Sequence, residues 1–150
     1  MPAGLADVSV WRFADALVWN WVIAGTGAHA KNYGLLLAGS QVRFAPLYDI
    51  ASALPYSAHE RRLHLAMKLG DKGYGVNGQR RSTWAALAGQ LGLDGDHLRA
   101  RALALVTAAP DAFTQAAGEL PRLGSALPGR LVAAVTERAR RCAAALGSVH

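Results

Sequence analysis

Trp19–Asp49, WNWVIAGTGAHAKNYGLLLAGSQVRFAPLYD, decides how the whole chain reads. An apolar run ends at Ile23. The loop Ala24–Asn32 (AGTGAHAKN) follows, bringing His29, Lys31 and Asn32 together with nothing apolar larger than Ala. A loop with no core to fill leaves its polar side chains free for chemistry. Beyond it, Tyr33–Ala38 and Gln41–Ala45 are β-prone runs flanking Gly39-Ser40, which predicts a hairpin with a two-residue turn. A hairpin carries the chain out and back, so Asp49 is expected to return close to Asn32. A carboxylate and an amide oxygen converging in this way form a hard, oxygen-rich site suited to Mg²⁺ bound to phosphates.

Upstream of this stretch, Asp7 or Ser9 is placed to cap a helix. Val10, Phe13, Ala14, Leu17, Val18 and Trp21 then follow the helical spacing of a buried stripe. Trp11 and Trp19 flank the stripe and are expected to pack on a neighbouring helix or lobe. Downstream, Pro46 and Pro55 hold Phe44–Tyr56 to turns and short helical pieces. Leu63–Leu69 (LHLAMKL) alternates with period two and predicts a strand, after a polar interruption at Ser57–Arg62. Gly70–Gly78 has four Gly in nine residues and predicts a loop; it lacks the strand–GxGxxG–helix order of a nucleotide-binding turn.

The rest reads as helices. Ser82 or Thr83 begins one whose Trp84, Leu87, Ala88 and Leu91 share a face, ending at Gly92. Asp94 or Asp96 caps the next, with Leu98, Ala102, Leu105 and Val106 inward. Pro110 either kinks that helix or starts another. A turn at Pro121 and Gly124-Ser125 leads to a last helix opened by Pro128. Its Leu131, Val132, Val135, Cys142 and Leu146 are expected inward, and Arg130, Arg138 and Arg141 outward. The fold class is α+β, one domain over residues 1–150: a mostly helical lobe with a small β-hairpin at its catalytic edge.

Composition excludes several function classes. At 150 residues, 52% hydrophobic and 17% charged, the chain is long and apolar enough to bury one core. The net charge of +6 permits acidic partners. The pairs Arg61-Arg62, Arg80-Arg81 and Arg140-Arg141 read as solvated surface, so direct nucleic-acid binding is not expected. One Cys and five His, none of them paired i, i+4, argue against a structural zinc site. No G-x-S-x-G is present for a serine hydrolase. MPAGLADV lacks the parts of a signal peptide, and Asp15 and Asn20 interrupt the longest apolar run, so no membrane span is expected. With Cys142 alone, a cytoplasmic protein is the expectation.

The residues Asn20-Trp21-Val22-Ile23, Thr26, His29, Lys31-Asn32-Tyr33, then Pro46 and Tyr48-Asp49-Ile50, resemble the catalytic segment of HipA-like serine/threonine kinases, the toxins of bacterial toxin–antitoxin pairs. That segment typically reads N-W-L-I-G-x-T-D-x-H-x-K-N, then an aromatic residue, and later P-x-Y-D. Protein kinases place a catalytic Asp five residues before a metal-binding Asn, with a second metal-binding Asp beyond a hairpin. Here position 27 is Gly27, where the family has that Asp. Small-molecule phosphotransferases put a His two residues before the Asp, whereas here Gly25 stands there and His29 lies two after.

The resemblance implies an ATP- and Mg²⁺-dependent kinase C-terminal lobe. Asn32 and Asp49 would hold Mg²⁺ on the phosphates, Lys31 would neutralise phosphate charge or stabilise the alkoxide side of transfer, and His29 would hold the loop in shape. It also implies protein serine substrates and a DNA-binding helix-turn-helix antitoxin as partner. The upstream nucleotide-gripping lobe has no counterpart before Trp11, so a truncated, degenerate lobe, inactive alone, is the expectation. Two alternatives accompany it. One is a non-catalytic module binding an antitoxin or a separately encoded N-terminal lobe. The other is the catalytic half of a split kinase using Asp15 or Asp71 as base. A lobe without its neighbour would leave Trp19, Tyr33, Leu47 or Tyr56 uncovered near the catalytic edge.

Overall fold

Helix α1, Leu5–Val22, runs through the middle of the fold, and its buried stripe is the one the spacing implies: Ala14, Leu17, Val18 and Trp21 are buried. The computed structural model describes residues 5–56, 62–70, 73–120 and 125–147. Ser9 lies inside α1 instead of capping it, and its hydroxyl accepts the Phe44 N–H at 3.0 Å, tying the hairpin to the helix. The hairpin forms as expected, with β1 (Leu35–Ala38) antiparallel to β2 (Gln41–Phe44) and Ala38 opposite Gln41. Gly39 takes φ 59°, the positive φ that primed hairpin turns need and that costs glycine least.

Three further helices close the core. α2 (Arg81–Leu91) buries Trp84, Leu87 and Ala88, and Gly92 ends it in the left-handed conformation at φ 68°. α3 (Gly95–Glu119) is capped by Asp94, whose carboxylate accepts the His97 N–H at 2.7 Å. α3 runs unbroken through Pro110, so no new helix starts there. α4 (Leu127–Gly147) buries Val135, Ala139, Cys142 and Leu146. Trp21 and Trp84 meet at the centre with ring centroids 5.0 Å apart. The result is α+β: a helical lobe with one two-stranded sheet.

Two expectations need correction. Leu63–Leu69 is not a strand; it makes a single antiparallel bridge, His64 with Gly75. The Leu65 N–H bonds Tyr74 O at 2.7 Å and the Val76 N–H bonds Leu63 O at 3.0 Å. The alternation is real, since Leu65 and Leu69 are buried while His64 and Lys68 are exposed. The partner segment, however, coils into a 3-10 turn at Val76–Gly78 after one pair, so no ladder can grow. The second correction is Arg138. It is buried at 1% exposure, because it sits three residues after Val135 on the inward stripe of α4.

The expectations for Ser57–Arg61, Asp71, Pro121 and Gly124 lie outside the described residues. Among those described, no helix is long and apolar enough to cross a membrane.

Candidate functional site

The loop leaving α1 is built on Asn20, in the helix's last turns. Its side-chain amide donates to Ala16 O at 3.0 Å and to the Tyr33 hydroxyl at 3.2 Å. Tyr33 immediately follows the loop, so one buried amide joins the loop's two ends. Side-chain packing between Tyr33, Phe13 and Phe44 fixes the far end, with centroids 5.2 and 6.1 Å from Tyr33. In the sequence Asn20 is a motif position and an interruption of the apolar run, and neither gives a hint of its partner. A Cβ on Gly25 would overlap the Asn20 amide oxygen, so residue 25 is restricted by this same anchor.

Within the loop, the chain turns tightly. The His29 N–H bonds Gly27 O at 2.7 Å, and the Asn32 N–H bonds His29 O at 2.9 Å, closing a 3-10 turn over Ala30–Asn32. This points the Asn32 side chain inward, where it is buried. The hairpin then returns the chain, and Asn32 Nδ2 donates to Asp49 Oδ2 at 2.6 Å. Asp49 holds φ 54°, a left-handed conformation that Asp tolerates better than most residues. The returning segment is pinned on either side of this pair. The Tyr48 hydroxyl donates to Lys31 O at 2.9 Å, and the Ser52 hydroxyl to Ile23 O at 2.6 Å.

Of the site residues read from sequence, Asn32 and Asp49 thus meet directly, and Lys31 stands exposed next to Asn32. His29 is exposed, and its side chain does not cap the 3-10 turn; its backbone N–H holds the loop. Gly27 is exposed, and a Cβ built on it would meet nothing within 4 Å. Asp15 is elsewhere, held by Arg101 through Nε and Nη2 at 2.6 and 2.7 Å. Asp71 is outside the described residues.

Burial pushes the Tyr33 phenol above its ordinary value of 10.0, while the hydrogen bond with Asn20 works the other way. With the folded value raised, the unfolded chain releases this proton first. Stability from this group is therefore full below about pH 10 and is lost as pH climbs through the folded value. Tyr33→Phe should flatten the decline in melting temperature between pH 9 and 11 relative to the parent. Parallel declines in the two proteins would mean that the phenol is not the group responsible.

The edge beside the pair is apolar, though not through all the residues anticipated. Leu47 and Tyr56 are exposed, at 37% and 74%. Trp19 and Tyr33 are half-buried, because Trp19 stacks on Phe113 at 5.7 Å and Tyr33 packs on Phe13 and Phe44. The hairpin adds to this apolar exposure, with Leu35 62% and Leu37 75% exposed.

Comparison with known proteins matches this arrangement to one family. The family profile described as HipA-like C-terminal domain matches residues 3–113. A Sinorhizobium fredii protein named "Putative kinase Y4mE" is 32% identical over 63 residues, which cover 42% of this chain and 14% of that protein. Among solved structures, the chain resembles one from the Shewanella oneidensis MR-1 toxin–antitoxin complex of HipA, HipB and operator DNA. That match has a TM-score of 0.74 at 25% identity, and covers 89% of this chain but 31% of the other. This chain therefore spans less than a third of either relative's length. With the profile spanning the loop, the hairpin and Asp49, the chain belongs to the HipA family and carries its C-terminal domain.

Proposed function

We propose that this chain is the C-terminal lobe of a HipA-like protein serine/threonine kinase of a type II toxin–antitoxin system, and that alone it transfers no phosphate. The observation that carries the reading is the Asn32–Asp49 contact at 2.6 Å, made across a hairpin from a loop whose position 27 is bare. One carboxylate and one amide oxygen are too few to hold Mg²⁺ with protein atoms alone. Asn32 turns its amide nitrogen to Asp49 here, so with that amide turned over to present its oxygen the pair would fit an ion that also takes phosphate oxygens and waters. Among the described residues, no cluster of three acidic, His or Cys side chains offers another metal site.

In this reading Asn32 and Asp49 would hold the ion, and the exposed Lys31 ammonium would offset phosphate charge. Mg²⁺, when bound, offsets charge on the ATP phosphates. The residue at 27 would orient the substrate serine and take its proton, and Gly27 has no group for either task. That absence alone lowers the rate about 10²–10⁴-fold. The partners proposed are a DNA-binding antitoxin, by analogy with the HipA–HipB complex, and the nucleotide-gripping lobe of the same kinase; the compartment is the cytoplasm.

The exposed hairpin favours a second reading, a non-catalytic module that docks a partner through Leu35 and Leu37. The split-kinase reading with Asp15 as base is disfavoured, because both carboxylate oxygens of Asp15 are taken by Arg101.

Calorimetric titration with Mg²⁺-ATP tests the proposal. The chain alone is expected to show no affinity stronger than about millimolar, because one shared ion site supplies few of the phosphate contacts that a kinase uses. Micromolar, Mg²⁺-dependent binding would instead mean that this chain grips nucleotide by itself.

A further inference from the structure

We propose that the groove between α1 and α3 receives an acidic, apolar-faced helical segment of a partner protein, an interaction that does not depend on phosphoryl transfer. Two clefts share Arg12. One, of about 280 Å³, is lined chiefly by Ala16, Trp19, Phe44, Leu47 and Leu105. The other, of about 250 Å³, is lined by Val8, Trp11, Arg12, His97 and Arg101. On α1, Val8, Trp11, Arg12, Asp15, Ala16 and Trp19 follow i, i+3, i+4, i+7, i+8, i+11, so both clefts open on one helix face, which α3 reaches through Trp11–His97 at 4.7 Å and the Asp15–Arg101 pair. At about 1.5 Å per residue this face is about 16 Å long, room for about three turns of a docked helix. From α3, His97, Arg101 and Leu105 recur every fourth residue and form the wall.

The two ends differ in chemistry. The Trp19–Leu105 end is apolar and suits an aliphatic or aromatic anchor. The Trp11–His97 end is cationic, and the acids around it are already engaged. Asp15 is the one carboxylate in either lining, and Arg101 binds both its oxygens, at 2.6 and 2.7 Å. Asp96, next to His97, is shared by Arg81 and Arg99 at 3.7 and 3.9 Å. Arg12 is exposed, with no carboxylate on it among the described residues. Charge complementarity therefore asks for an acidic occupant. A second copy of this chain, itself at +6, is repelled at long range. An amphipathic helix in a groove supplies both an apolar anchor row and a flanking acidic row.

The test uses a synthetic 14-residue helical peptide with Leu anchors at i, i+3, i+4 and i+7 and Glu on the flank, beside versions with Gln or Lys in place of Glu. Binding to the whole chain is followed by amide chemical-shift mapping. The Glu peptide should bind about tenfold tighter than the Gln peptide, and the Lys peptide should not bind. Shifts should centre on Arg12, Trp19 and Leu105. Arg12→Glu, an exposed change, should weaken the Glu peptide about tenfold, and salt should weaken it further. Equal binding of the three peptides, no binding below about millimolar, or shifts centred on Leu35–Leu37 would overturn the proposal. So would dimerisation of the chain through the Arg12 face in sedimentation.

Discussion

Gly27→Asp is expected to raise phosphoryl transfer by about 10²–10⁴-fold once the domain is joined to a lobe that grips nucleotide, the usual worth of a positioned general base. Steric room supports this. Gly27 is exposed, its φ is outside the left-handed region, and a Cβ there meets nothing within 4 Å. The flanking hydrogen bonds, His29 N–H to Gly27 O and Asn32 N–H to His29 O, are backbone bonds that a side chain at 27 does not interrupt. An Asp would therefore enter a loop already in shape, five residues from Asn32. The measurement is a chimera in which this chain replaces the matched 31% of the Shewanella oneidensis chain, with Gly or Asp at position 27. Label transfer from ATP should appear only with Asp, while calorimetric ATP affinity stays the same in both. Equal ATP binding with no transfer from either chimera would show that position 27 is not what limits the chemistry.

How far the sequence carries depends on whether a residue's role is local. The hairpin was legible because Gly39-Ser40 and its flanks are neighbours, and the observed register pairs Ala38 with Gln41 across that turn. The return of Asp49 to Asn32 follows from the same geometry. Gly92 and Asp94 also act within one turn of where they sit, so the limits of α2 and α3 could be read from them. Asn20 was not legible in its role, because its partner Tyr33 is thirteen residues away across a loop. The Leu63–Leu69 strand misled for a related reason. Alternation reports which side chains face inward, but a ladder needs a second extended segment, and Gly73–Gly75 provides only one pair. Arg138 misled by its type: the spacing from Val135 put it on the inward face, but its charge argued for solvent.

Arg138→Leu is the substitution expected to harm the fold most, by about 3 kcal/mol, the scale of losing a buried charged donor's hydrogen bonds to neutral acceptors. Arg138 Nε and Nη2 donate to Trp21 O at 3.0 and 2.7 Å, Nη2 also to Val76 O at 3.2 Å, and Nη1 to Asn77 Oδ1 at 2.9 Å. Trp21 Nε1 donates to the same Val76 carbonyl at 2.9 Å. Three segments distant in sequence, the end of α1, the 3-10 turn at Val76–Gly78 and α4, are thus joined by one guanidinium. Trp21 O belongs to the last turn of α1, and its other donor is the Ala24 N–H at a long 3.3 Å, so leucine would leave that buried carbonyl with one weak bond. Arg138→Lys keeps the charge but loses the planar fork, and should cost about 2 kcal/mol. Arg140→Leu, exposed on the same helix, should stay within about 0.5 kcal/mol of the parent in denaturant unfolding. Leucine at 138 costing no more than leucine at 140 would mean that packing alone holds this junction. Because Trp21 is three residues before the loop that carries Asn32, hydrogen exchange in Ala24–Asn32 should quicken in Arg138→Lys even where the fold survives. Loop amides that exchange at the parent's rate there would separate the stability of α4 from the shape of the site.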